Sequence, residues 1–409
     1  MNNNIFDLTP DQLEKIALSL QSRIAEGLEE EGRQIKAIPT YIVPGQNAPK
    51  GKVLVLDLGG TNYRVAVVDF GDIQSNGMPA IHPVGGNKYK ISPAAMKSET
   101  LLYKEIIDPI LSTDLTGVSR IGFCFSFPAT CTPDGDAIPI EWTKGFDIGS
   151  MLNKPIGKAL MERLNKALKK KGKKVTITKV NVINDTVASL FSGLAYKADG
   201  HIGLIVGTGT NMATFVDTKY IKKPTDKKGL LPINLESGNF HPPHLLALDD
   251  KIDRHSDTPG RQRFEKAISG LYLGRIMEYV FSCDPFEDDF NAFNLTHIMS
   301  YPQRYQESYV TMAHQIYERS AKLVAASLAG LIDEMAALDP SIKTIRLMAD
   351  GSLFWSKDLK GRDAFPSYKN IVMAELDTIL KNLGLTEIKV TTEYQDDINL
   401  VGSAIAGLS

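Results

Sequence analysis

The sequence predicts an α/β protein made of two related domains. Strand-like runs alternate with helical stretches, one strand–turn–strand pattern occurs twice, and 409 residues exceed the roughly 100–200 of a single domain. The two copies are VLVLDLGGTNYRVAVVDF (53–70) and IGLIVGTGTNMATFVD (202–217), each an apolar run, a Gly/Thr/Asn turn and a second β-type run. Their turns lie about 150 residues apart, far beyond a solenoid period, so the echo marks two domains rather than an array.

The elements follow in chain order. Thr9, Pro10 and Gln12 carry the start signals of a helix: a capping hydroxyl, a proline in the first turn and the partner of a capping box. Leu13, Ile16, Ala17, Leu20, Ile24 and Leu28 then recur on one face. After the first copy come strand signals at 121–129 and 175–184, flanking a helical pattern from Met151 to about Lys171. Gly172 suits its C-terminal cap, and the lysines of 166–174 suit the negative end of its dipole. The second copy is followed by a helical stretch over 309–338 and strands at 342–352 and 388–394. The cluster His241, His244, Asp249, Asp250, Asp253 and His255 reads as a polar surface loop. Two prolines separate its histidines, and no cysteine pair accompanies them to make a zinc site.

Composition excludes several classes. With 46 basic and 48 acidic side chains the net charge is −2, which argues against a broad basic face for nucleic acid. Hydrophobic residues at 43% supply enough apolar surface for a packed core. Cys124, Cys131 and Cys283 are an odd set in a long chain, which points to a reducing compartment rather than a disulfide framework. No apolar run approaches the ~18–20 residues of a membrane helix, and the N-terminus lacks a signal-peptide pattern. The expectation is a cytoplasmic protein, monomer or homodimer, without membrane or nucleic-acid partners.

The chemistry begins at the two turns. Glycines let a backbone approach closely, successive N–H groups form an anion-binding nest, and threonine hydroxyls add donors, which together suit a polyphosphate. Asp57, ending the first strand, is placed to hold Mg²⁺ directly or through water. Neither turn is a Walker A loop. Asn184-Asp185-Thr186 follows an apolar strand and precedes a helical run. Asp185 can cap that helix, or it can be the reactive carboxylate at a strand's C-terminal end, where α/β proteins put their chemistry.

Eight segments in order resemble the eukaryotic-type hexokinase/glucokinase family: LDLGGTNYR (56–64), FSFPA (125–129), WTKGF (142–146), NDT (184–186), VGTGTN (206–211), INLESGNF (233–240), DTPGRQRFEKAISGLYLG (257–274) and ADGS (349–352). The resemblance implies a two-lobed actin-like, ribonuclease-H-like ATPase fold with a cleft between a small and a large domain. The small domain would span 49–185 with a C-terminal helix at 395–409, the large one 186–394 with an N-terminal helix in 1–48. It further implies that Ser126, Thr143, Lys144, Asn184, Asp185, Asn211, Glu236 and Glu265 bind a hexose, with Gln262 in support. Asp57, Gly59, Gly60, Thr61, Asn62 and Arg64, together with Gly207, Thr208, Gly209 and Thr210, would hold the phosphates of ATP. Gly351 and Ser352 would meet its adenosine, and Mg²⁺ would sit at Asp57. The implied reaction moves the γ-phosphoryl of MgATP to a hexose 6-hydroxyl, glucose foremost, feeding glycolysis, with Asp185 as base and Lys144 neutralising charge. Two departures stand out: Ser237 follows Glu236 where the family has tryptophan, and residues 397–402 replace a Gly/Ser-rich turn. An actin- or heat-shock-chaperone-like regulatory ATPase would share the phosphate turns but has no reason to carry Ser126, Thr143, Lys144, Glu236 and Glu265 together.

Overall fold

Two mixed sheets with the same strand plan organise the chain. The computed structural model describes residues 4–45, 48–60, 62–73, 79–287, 289–356 and 367–409, so Thr61 lies outside the described residues. Helix α1 (Pro10–Glu29) opens with the Thr9–Gln12 capping box, and all six residues of its foreseen apolar face are buried. After β1 (Ile38–Pro39) come β2 (Gly51–Leu58), β3 (Asn62–Ile73), β4 (Pro79–Lys90), α2 (Glu99–Ser112) and β5 (Arg120–Phe125). A short hairpin, β6 (Ala129–Cys131) and β7 (Ala137–Pro139), leads to α3 (Ile156–Lys170), β8 (Lys179–Ile183) and α4 (Asp185–Ser192). The second half repeats the theme with β9 (Gly200–Val206), β10 (Thr210–Asp217) and β11 (Leu230–Asn234). Five helices follow: α5 (Ala247–Arg254), α6 (Arg263–Ile268), α7 (Gly270–Val280), α8 (Ala292–Ser300) and the long α9 (Glu307–Leu338). The chain ends with β12 (Thr344–Asp350), α10 (Tyr368–Asn382), β13 (Lys389–Thr391) and α11 (Ile398–Leu408).

The first sheet runs β4-β3-β2-β5-β8 and the second β1-β11-β10-β9-β12-β13. In both, an antiparallel meander is followed by two strands added in parallel, β5 and β8 in one, β12 and β13 in the other. The sequence echo at the two turns is therefore part of a topological duplication. Each half also ends in an equivalent helix, α4 after β8 and α11 after β13, and these two helices cross over. α4 leaves the first sheet and lies on the second, where a Cβ on Gly203 of β9 would overlap the backbone of Thr186. α11 leaves the second sheet and lies on the first, where a Cβ on Gly122 of β5 would overlap the carbonyl of Ser403. One apolar cluster joins them to both sheets, with Val53, Val55 and Val68 from the first, Ala213 from the second, and Leu190, Phe191, Leu400 and Ile405 from the helices. Asn181 of β8 adds a buried hydrogen bond, its Nδ2 donating to the Ala406 carbonyl at 2.6 Å.

Several boundaries differ from the sequence expectation. The helix expected from Met151 starts at Ile156, because Pro155 disfavours helical backbone at the residue before it. Gly172 does take the left-handed conformation just beyond that helix, at φ 67°. Residues 175–178 stay outside β8, and β13 covers only 389–391 of the expected 388–394. The expected polar surface loop around Asp249 is instead helix α5, and two of its aspartates are buried ion-pair partners. Asp249 accepts from Arg319 at 3.1 and 2.5 Å, and Asp253 from Lys266 at 2.7 Å. Among the described residues no His/Cys/Asp/Glu group is arranged to hold a metal ion, and no helix is long and apolar enough to cross a membrane.

The crossing of α4 and α11 is tight enough to test. A Cβ on Gly402 would overlap the Ala188 carbonyl, whereas one on Gly149 would meet nothing within 4 Å. Gly402→Ala is expected to destabilise by about 2 kcal/mol or more, as overpacking against backbone does, and Gly149→Ala to stay within about 0.5 kcal/mol, both read from urea denaturation.

Candidate active site

The strand ends and turns of both sheets face one another across a cleft. On the first sheet Asp57 is the penultimate residue of β2, and the chain then turns through Gly59 and Gly60 into β3, which begins at Asn62. Gly60 has φ 135°, a conformation that side-chain-bearing residues rarely adopt, and a Cβ there would press on Lys144 at 3.3 Å. Lys144 is itself left-handed, at φ 57°, which carries its side chain over the turn. Its Nζ donates to the carbonyls of Ser126 at 2.8 Å and Gly59 at 3.3 Å, and lies 5.2 Å from the Phe127 ring. Ser126 is held by its own N–H, which donates to the Leu58 carbonyl at 3.1 Å. Thr143 and Lys144 ride on an aromatic block in which Trp142 stacks on Phe146 at 5.5 Å and donates its Nε1–H to Ile148 at 2.8 Å.

At the end of β8, Asn184 caps α4 through Oδ1, accepting from the Val187 N–H at 2.8 Å. Asp185 is the first helical residue and accepts from the Thr186 N–H at 2.8 Å. The expectation that Asp185 can cap this helix is corrected, since Asn184 is the cap and Asp185 the first helical residue. Burial pushes its carboxyl above the ordinary value; Lys144 and the Thr186 N–H oppose this, and Asp350 and Glu236 add to it. Asp57 is raised likewise by burial, opposed by Arg64 and by a hydrogen bond with the buried Cys124 thiol. Arg64 pairs with Asp397 and lies 3.9 Å from Asp57.

The second sheet supplies a polar chain. Asn211 Nδ2 donates to Asn234 Oδ1 at 2.7 Å, and Asn234 Nδ2 donates to Glu236 Oε1 at 2.7 Å. Glu236 sits in left-handed backbone at φ 54°, turning its carboxylate toward that chain. Glu265 accepts from the Thr210 N–H at 2.9 Å, and burial together with Glu236 raises its pKa. Gly209 leaves room for that bond, since a Cβ there would meet Glu265 Oε2 at 2.6 Å. Thr143, Asn184, Glu236 and Gln262 line a single cavity of about 400 Å³ between the two sheets, joined by Asn234 and Asn239.

A second cavity, of about 680 Å³, is lined by Gly207, Thr208, Gly351 and Ser352. Three backbones meet there: the Gly270 N–H donates to Gly207 at 2.7 Å, and a Cβ on Gly207 would touch Gly351 at 3.3 Å. Thr210 does not join this group. Its N–H is committed to Glu265 and its hydroxyl donates to the Ile205 carbonyl at 2.8 Å.

Three residues were missed. Asn234 and Asn239 lie inside the INLESGNF segment, but their role depends on bonds to Glu236 that no spacing reveals. Asp350 ends the parallel strand β12, so the strand-end argument used for Asp185 would have found it. Its carboxylate accepts from the Gly351 N–H at 2.7 Å and from Asn399 at 3.3 Å.

Sequence-family profiles described as hexokinase match residues 3–195 and 201–283. The chain is 31% identical to rice hexokinase-2 over 363 residues, covering 83% of this chain and 70% of the rice protein. It is 32% identical to mouse hexokinase-3 over 287 residues, which is 67% of this chain and 30% of the mouse protein. Among solved structures, a Schistosoma mansoni hexokinase complexed with glucose superposes with a TM-score of 0.73 at 24% identity, covering 99% of this chain and 96% of that one. That likeness shows the fold, the two-lobed α/β arrangement expected from the sequence.

Because the native state favours the protonated form of Asp185, its ionised carboxylate costs stability at neutral pH, and that cost is relieved as pH falls through the raised pKa. Asp185→Asn should therefore melt at or slightly above the wild-type temperature at pH 7, with the gap closing toward pH 4. Calorimetric scans showing a loss of several degrees at pH 7 would mean that the ionised carboxylate is instead held by net stabilising bonds.

Proposed function

The chain belongs to the hexokinase family, and we propose that it transfers the γ-phosphoryl group of MgATP to the 6-hydroxyl of a hexose, with glucose the leading acceptor and glycolysis the use. The observation that carries this reading is the pairing of a phosphate-type turn on each sheet with a polar cavity between them. The cavity is lined by Thr143 and Asn184 from one side and Glu236 and Gln262 from the other.

In this reading the lobes are 49–185 with 395–409, and 186–394 with 1–48. The hexose hydroxyls bond to Ser126, Thr143 and Asn184 from the small lobe and to Asn211, Glu236 and Glu265 from the large one. Hydrogen bonds to the charged groups contribute about 1.5–3 kcal/mol each. Glu236 and Glu265 are preset by Asn234 and the Thr210 N–H, so little is lost in ordering them. Contacts from both lobes form together only when the cleft is closed, which also keeps water from the phosphoryl group.

Asp185 takes the proton of the 6-hydroxyl as its oxygen bonds to the γ-phosphorus, and the β–γ bridging oxygen leaves with ADP. Burial lifts its pKa toward the working pH, which makes it a stronger base than a solvated aspartate. Lys144, whose Nζ lies within hydrogen-bond range of the Gly59 and Ser126 carbonyls, offsets the negative charge gathering there. The turn at Gly59–Gly60 and the Thr208 N–H would face the phosphates, while the Gly207 N–H closes its own turn by donating to the Gly209 carbonyl at 2.9 Å. Asp57, with Asp185 and Asp350 close enough to raise its pKa, leaves a surplus of carboxylate charge at the cleft base that suits the Mg²⁺ of MgATP. Positioning and electrostatics thus supply most of the rate.

A second reading concerns the sugar. Ser237 is buried with its Oγ unbonded where the family resemblance leads one to expect tryptophan, and this favours a changed preference among glucose, mannose, fructose and amino sugars.

Replacing the base tests the mechanism. Asp185→Asn is expected to lower kcat by at least ~10²-fold. Hexose binding, followed by the fluorescence of Trp142 beside Thr143, should change by less than about tenfold. Near-normal turnover in this variant would remove Asp185 from the reaction.

A further inference from the structure

The lysine run around the end of α3 takes no part in the chemistry described so far. Seven lysines fall between 166 and 179, with no acid, arginine or aromatic residue among them. All seven are exposed, and among the described residues none closes an ion pair or donates a side-chain hydrogen bond. The helix dipole accounts for only part of this run, because its effect falls off within the last turn. Lys169 and Lys170 lie in that turn, whereas Lys171, Lys173, Lys174 and Lys179 stand at or beyond the helix end.

The run is held in place by its own backbone. Asn165 clamps it, its Nδ2 donating to the Ile177 carbonyl and its Oδ1 accepting from the Ile177 N–H, both at 2.8 Å. Gly172 turns the chain at φ 67°, and the Lys173 N–H donates to the Leu168 carbonyl at 3.0 Å. The Thr178 N–H then donates to the Ser119 carbonyl at 2.8 Å, just before β5. The lysines therefore stand where the parallel strands begin, beside Lys52 of β2 and Arg120 of β5. Those strands run toward the cleft, so this basic pole faces away from it. Like charges crowd there. Burial lowers the Lys179 pKa, and Arg120 and Lys227 lower it further against Asp134. Hydrogen bonds from Thr116 hold Asp114 below its ordinary value, and Lys52 and Lys173 add to this.

We propose that this pole is a docking surface for an anionic phospholipid bilayer, which holds the protein with its cleft turned toward solvent. The residue types select this partner. Protein interfaces are depleted in lysine and centre on aromatic or arginine anchors. Nucleic-acid sites draw on arginine forks and on aromatic rings for stacking. Residues 166–179 contain neither, and among the described residues no large hydrophobic side chain between 141 and 229 is exposed. Ammonium groups on flexible stems suit a fluid sheet of headgroups, which rearranges around point charges. The whole chain carries −2, so the attraction comes from the pole and not from net charge. Attachment of this kind needs no spanning helix, and it departs from the expectation of no membrane partner.

Co-sedimentation of the whole chain with vesicles tests this, using phosphatidylcholine alone or with about 30% phosphatidylserine. The protein should bind the anionic vesicles at about 50 mM salt, leave them at about 500 mM and ignore the neutral ones. Each lysine near an anionic bilayer strengthens binding about fivefold. Lys170→Gln, Lys171→Gln, Lys173→Gln and Lys174→Gln combined should therefore weaken binding at least ~50-fold, with the melting curve unchanged. Lys219, Lys222, Lys343 and Lys381 are exposed elsewhere, each facing a carboxylate, and changing all four to Gln should cost less than about threefold. Equal binding to neutral vesicles, no binding to anionic ones at low salt, or an equal loss in the second variant overturns the proposal. So does tighter binding to oligouridine than to anionic vesicles at the same salt, which would assign the pole to nucleic acid. The assay contains no sugar or nucleotide, so its failure is distinct from a failure of the kinase reading.

Discussion

The exchange of helices between the two halves is the constraint from which the rest follows. α4 belongs by sequence to the first sheet and by packing to the second, and α11 is the reverse. Among the described residues, Gly122, Gly203, Gly402 and Gly407 let the two helices meet each other and the sheets at backbone distance. Because α4 starts at Asp185, the same crossing that joins the halves sets a carboxylate at the base of the cleft. α11 meanwhile carries Asn399, which accepts from Ser189 of α4 at 3.3 Å and donates to Asp350 at 3.3 Å, linking both crossing helices to the end of β12.

The cleft base is electrostatically unbalanced. Asp57 and Asp185 are both pushed up by burial and further by Asp350, and the neighbouring cations Arg64 and Lys144 offset this only in part. Such an arrangement is unfavourable for the bare protein and is relieved by a cation, a proton or a positively charged side chain. Sites that do chemistry commonly carry this kind of local cost, offset by the rest of the fold. Two cavities open from this base, a polar one beside Asn184 and Glu236 and a largely apolar one beyond Gly207 and Gly351.

Much of this was legible in the sequence because it rests on local patterns. The capping box of α1, its buried face and the two turn motifs depend on residues close together in the chain, and the duplication of those turns exposed the two-half plan. Residue order also brought the candidate segments into view, since the strand ends near 58 and 183 and the glycine turns at 59–60 and 207–209 are readable one at a time. The crossing of α4 and α11 was not legible, because Gly402 and Ala188 meet only through tertiary packing. Asp249 and Asp253 look like part of a polar loop in the sequence for the same reason, because the partners that bury them, Arg319 and Lys266, lie 70 and 13 residues away. Thr210 resembles its neighbours in the turn, yet Glu265 of helix α6 accepts from its N–H.

The account's central claim is that the cleft couples a nucleotide to a sugar hydroxyl. A coupled assay of ADP release across glucose, mannose, fructose and glucosamine, with phosphorus NMR of the products, tests it most directly. The account predicts ADP release that requires a hexose and yields one hexose 6-phosphate per ADP. Steady ATP hydrolysis that is indifferent to every sugar, or phosphate appearing on a position other than the 6-hydroxyl, would contradict it.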